Sequence, residues 1–111
     1  MNIPTKHRPM DKIIFRAWPD GTVIAVWPAI PADNEGNLCQ TYEHIGQHGG
    51  GDWNVIVKRT RAATPSEYQD LLQEITAIGY CPIIIHLVHR KLVEHRRWVA
   101  KHHFVEITES D

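Results

Sequence analysis

Two cysteines, two serines, no long apolar run and no cationic side chain between Ala17 and Val57 limit what this 111-residue chain can do. Cys39 and Cys81 stand far apart among apolar or strand-forming neighbours. That setting suits buried thiols better than a disulfide framework, and no C-x-x-C spacing points to a metal ribbon. Ser66 falls at a helix entry and Ser110 in the tail, so neither occupies the strand-to-helix turn of a nucleophile elbow. No stretch approaches the ~18 apolar residues of a membrane span. "MNIPTKHRPMDK" lacks both the apolar centre and the small-residue cleavage site of a signal peptide. The expectation is a cytoplasmic protein with no membrane contact and no cofactor.

What is present is an ordinary globular composition, 42% hydrophobic and 23% charged. The length fits one domain over 1–111, with flexible ends at 1–11 and 108–111. A net charge of −1 conceals a polarity. The stretch without Lys or Arg carries Asp20, Asp33, Glu35, Glu43 and Asp52. Cations then gather at Lys58, Arg59 and Arg61, and again at Arg90, Lys91, Arg96, Arg97 and Lys101.

"KIIFRAWPDGTVIAVWPAI" predicts a β-hairpin, because two runs of β-branched and aromatic residues flank Pro-Asp-Gly. The Pro- and Asn-rich "PAIPADNEGN" reads as a surface loop and "LCQTYEHI" as a third strand. "DWNVIVKRT" fits either a strand or a short helix, and the Val55/Val57 alternation favours the strand. In "TPSEYQDLLQEITAIGY", Thr64 as N-cap, Pro65 at the first helical position and Glu67 at capping-box spacing predict a helix over 65–78, closed by Gly79. Its apolar stripe is Tyr68, Leu71, Leu72, Ile75 and Ile78. "CPIIIHLVH" reads as a central strand buried on both faces. The tail fits a strand around 98–107 or a helix over 91–101, and the shared parity of Val99, Val105 and Ile107 favours the strand. The expected fold is α+β, an antiparallel sheet of four to six strands with the single helix 65–78 on one face.

The strings "HIGQHGG" and "KRTRAATPSEYQDLLQEITAIGY" resemble a group of small bacterial and phage-borne proteins. In that group a Gly-Gln-His-Gly turn precedes a Thr-Pro-x-Glu-Tyr helix entry and an Ile-Gly-Tyr exit. The likeness covers about residues 12–89. It implies a compact accessory protein of mobile genes, and it assigns no activity and no catalytic residue.

His44 and His48, four apart, would share a metal on a helix, with Asp52 as a third ligand. On a strand they lie about 13 Å apart, so the competing reading is a glycine turn with no ion. Eight histidines is a high count, yet His86, His89, His102 and His103 alternate in direction rather than pair. Cys81 and His86 make no nucleophile and base, since nothing near Cys81 would lower its pKa. Arg90, Lys91, Arg96, Arg97, Trp98 and Lys101 combine charge with an aromatic ring, a mixture that suits nucleic acid or a partner surface. Trp18, Trp27 and Trp53 read as core packing or as the lining of a pocket. These residues together predict a non-enzymatic interaction module acting through protein–protein contact as a homodimer. The alternatives are nucleic-acid binding through the basic C-terminal segment and metal-dependent hydrolysis at His44, His48 and Asp52.

Overall fold

The Pro-Asp-Gly signal marks the hairpin that starts the sheet. In the computed structural model, which describes residues 9–44 and 46–110 with the side chains of 9 and 103–110 excepted, β1 (Lys12–Ala17) pairs antiparallel with β2 (Val23–Pro31). Trp18 N–H donates to Thr22 O at 2.8 Å, and Asp20 accepts from both the backbone and the hydroxyl of Thr22. Those bonds hold the Asp20 carboxyl below its usual range.

β3 (Cys39–Glu43) adds antiparallel to β2, β4 (Gln47–Gly51) to β3, and the two-residue β5 (Arg61–Ala62) to the far side of β1. The strand order β4-β3-β2-β1-β5 leaves β4 on an outer edge. The sixth strand, β6 (Ile83–Ile84), lies parallel to β1 beside Lys12 and Ile13. The long apolar run around it therefore forms a half-buried two-residue edge, not a central two-sided strand. Pro28 falls within the register shift between Trp27 and Pro31, and Pro82 precedes β6, so neither interrupts a paired register.

Strand alternation divides the core. Ile13, Phe15, Ala17, Ala25, Trp27 and Tyr42 point to one face, where α2 (Pro65–Ile78) covers them with Tyr68, Leu71 and Ile75. Phe15 stacks on Tyr68 with ring centroids 4.4 Å apart. The opposite face carries Ile24, Val26 and Cys39 beneath α1 (Trp53–Arg59) and α3 (Arg90–Ser110). The result is an α+β fold with an antiparallel sheet between two helical layers and, among the described residues, three α-helices rather than one.

Two segments expected as strands are helical. Asp52 caps α1 by accepting the Asn54 N–H at 2.9 Å, and that N-cap outweighs the Val55/Val57 alternation because only Ile56 needs burial. α3 buries Leu92, Arg96 and Ala100, four residues apart, against the sheet. From Arg90 onward no Gly or Pro interrupts a run rich in Arg, Lys and Glu, so helical propensity prevails over the parity of three β-branched residues. Of the ends expected to be flexible, 1–8 and 111 lie outside the described residues, 9–11 make a 3-10 turn and 108–110 belong to α3. Among the described residues, no helix is long and apolar enough to cross a membrane.

Candidate functional site

The glycine run is not a turn. Residues 44 and 46 make the bend, and Gly49, Gly50 and Gly51 continue into β4, opposite Thr41, Gln40 and Cys39. Close approach explains the glycines: a Cβ on Gly50 would meet Ala32 Cβ at 2.8 Å, and one on Gly51 would meet Ile56 Cδ1 at 2.7 Å. Missing side chains leave a trough of about 340 Å³ beside the edge, lined by Trp18, Ile24, Thr41, the three glycines and Ile56.

A polar latch holds this hairpin to α2. The Tyr42 ring is buried, and its Oη donates to Glu74 while accepting the Gly46 N–H at 3.0 Å. His44 Nδ1 donates to the other Glu74 oxygen. The Tyr42 hydroxyl, then His44, keeps the Glu74 carboxyl below its usual range; the same hydrogen bond, aided by burial, raises the Tyr42 phenol. His48 sits edge-on to Tyr42, ring centroids 4.7 Å apart, with its Nε2 3.3 Å from Tyr80 Oη. Tyr80 in turn packs on Trp27. Sequence reasoning missed this cluster, since Tyr42, Glu74 and Tyr80 come from three separate elements. The one legible cue was the strand-like alternation that sets Tyr42 opposite His48.

The structure gives His44, His48 and Asp52 different tasks: a hydrogen bond to Glu74, a ring contact with Tyr42 and a helix cap. Among the described residues no group of three His, Cys, Asp or Glu side chains is placed to hold a metal ion. The three tryptophans also separate. Trp27 is in the core under α2, whereas Trp18 and Trp53 flank the opposite face. Trp18 Nε1 donates to Glu43 at 2.8 Å and its ring borders the β4 trough. Trp53 has the Arg16 guanidinium 5.9 Å above its ring and lines a second cavity, against α3. A larger cleft of about 480 Å³ lies between the hairpin turn and α2; of its three carboxylates, Glu43 and Glu67 are engaged by Trp18 and Arg61, and Asp70 is exposed.

The basic segment divides in the same way. Arg90, Lys91, Arg97 and Lys101 are exposed on α3, with Trp98 56% exposed among them and stacked on His102 at 4.1 Å. Arg96 is not part of that face. It is only 4% exposed, and its guanidinium donates to Gly36 O, Pro28 O and Cys39 Sγ. Phe104 and His103 lie outside the described side chains. Comparison with protein families, with curated proteins and with solved structures finds no match to this chain.

Proposed function

We propose that this chain is a small interaction module that works as a homodimer, two copies pairing along β4 into one continuous sheet. The observation that carries this reading is an unguarded edge. Natural edge strands are protected by charge, proline or a covering element. Gln47–Gly51 has no charged residue and no proline, and its first four residues are exposed.

The strand is also self-complementary. In an antiparallel pairing centred on Gly49, His48 of each copy faces Gly50 of the other and Gln47 faces Gly51. Each side chain larger than hydrogen thus lies opposite a glycine. The trough beside the strand brings the partly buried Trp18 ring next to the seam. The Tyr42–Glu74–His44 latch stiffens the hairpin before it pairs, which lowers the ordering cost of association. An accessory role in mobile genes, implied by the motif likeness, sits easily with a protein that acts by contact.

Gly49→Glu tests the proposal. A Cβ there meets only the end of the Thr41 side chain, Oγ1 at 3.3 Å, which must give by a few tenths of an ångström, while two glutamates would face each other across the symmetry axis. Light scattering during gel filtration should give a dimer for the natural chain. The variant should be a folded monomer, its dimer weakened at least tenfold, or about 1.4 kcal/mol. A natural chain that stays monomeric at high micromolar concentration, or a variant that dimerises equally well, refutes pairing at β4.

A further inference from the structure

Arg96 is a buried cation whose hydrogen bonding is incomplete. Nε donates to Gly36 O at 2.7 Å, and Nη1 donates to Pro28 O at 3.0 Å and to Cys39 Sγ at 2.9 Å. Nη2 has no acceptor among the described residues, and no carboxylate pairs with the guanidinium. Buried guanidinium groups are normally paired, because leaving the charge and its donors unmet is costly. Cys39 does not supply the missing charge: burial pushes its thiol up, with Arg96 acting only partly in the other direction.

Arg96 borders a cavity of about 320 Å³ between α3 and the start of α1, lined also by Asn37, Asp52, Asn54, Val93 and Arg97. Its position is built in. Gly36, at φ +75°, lets the loop approach α3 so closely that a Cβ would lie 2.7 Å from Arg97 Cα. That approach sets Asn37 beside the two arginines. Asp52 is the one acid in the lining, and its Oδ1 is taken by the Asn54 N–H. Two guanidinium groups against one carboxylate leave the cavity with a positive excess. Two carboxamides add donors that suit an acceptor-rich ligand: Asn54 offers its side-chain amide, while Asn37 Nδ2 already donates one N–H to Glu35 Oε1 at 3.1 Å and keeps the other.

We propose that Asn37, Asn54, Arg96 and Arg97 form a binding site for an oxyanion of the phosphate class, with Arg96 Nη2 as its buried donor and Arg97 as its outer clamp. Arginine pairs readily with phosphate oxygens through its planar fork. The ligand is either free phosphate or a phosphate of a polynucleotide, and the exposed cations of α3 continue outward from the same helix. The site stands independently of pairing at β4.

Phosphate is titrated into the isotopically labelled full chain at constant ionic strength, with chloride as reference. The Arg96 Nε–H and the Asn37 and Asn54 side-chain amide signals report on the site. Saturable movement with phosphate but not chloride is expected, with affinity reduced about tenfold or more in Arg97→Ala. Arg97→Ala is the main variant because Arg96 also holds Gly36 and Pro28, and its loss would disturb the fold. A second titration uses a single-stranded oligonucleotide. If it moves the same signals, alone or by displacing phosphate, the ligand is the nucleic-acid backbone; if only phosphate does, the ligand is a free anion. If neither ligand moves these signals, or Arg97→Ala binds as tightly as the natural chain, the cavity holds water only and the proposal fails.

Discussion

At the scale of single residues, the acid with the strongest perturbation among the described residues is Glu67. Both its oxygens receive Arg61, and Oε1 also accepts the Thr64 N–H at 2.9 Å, so its pKa falls from the ordinary 4.5 to about 2. The folded value is the lower one, so the stabilisation is complete above about 4.5 and is lost as pH falls towards about 2. Glu67→Gln should therefore melt below the natural chain near neutral pH, and the gap should close across that acid window. A gap in melting temperature that ignores pH would show that the charge of Glu67 contributes nothing. This carboxylate was readable from the Thr-Pro-Ser-Glu spacing alone, although its arginine partner was not. Arg96 is the opposite case. In sequence it looks like one more cation of a basic run, and only the helical period that places it with Leu92 and Ala100 reveals it as buried.

Among the elements, α2 shows how a helical stripe sorts itself. Ile75 is fully buried beneath the sheet, whereas Ile78, one turn on, is 50% exposed. Ile75→Ala should cost about 2–5 kcal/mol in urea unfolding, the range for truncating a buried aliphatic side chain. Ile78→Ala should change stability by less than about 0.5 kcal/mol. Equal costs would mean that α2 sits rotated on the sheet. The hairpin, β3 and α2 were legible because turn chemistry, caps and period agree within each segment. β4 was not, since three glycines carry no strand propensity and their pairing depends on how closely Ala32 and Ile56 approach. α1 and α3 were misread where a few β-branched residues imitate alternation, and β6 because an apolar run does not say how much of it pairs. Of the site residues, the exposed α3 cations were recognisable from sequence. The latch and the anion cavity were not, because the latch joins the β3–β4 hairpin to α2 and the cavity joins three segments distant in the chain.

Over the whole molecule, charge separates two ways of associating. β2, the loop after it, β3 and the glycine strand lie in the stretch without Lys or Arg, while α3 displays Arg90, Lys91, Arg97 and Lys101. If acidic and basic surfaces joined head to tail, the contact would be heterologous, would grow into open chains and would weaken as salt screens it. Pairing at β4 is different in kind. The strand is uncharged, and Glu43 and Asp52 of both copies lie close to the seam, so salt relieves repulsion and removes no attraction. The dimer measured by sedimentation should hold its affinity, or tighten, as sodium chloride rises from about 0.05 to about 0.5 M, a span in which the screening length shortens several-fold. A polynucleotide bound along α3 would respond in the opposite sense, losing affinity with each counterion it must displace. Self-association that dissolves in salt would therefore place the interface on the charged surfaces and away from the glycine edge, even if the stoichiometry were two.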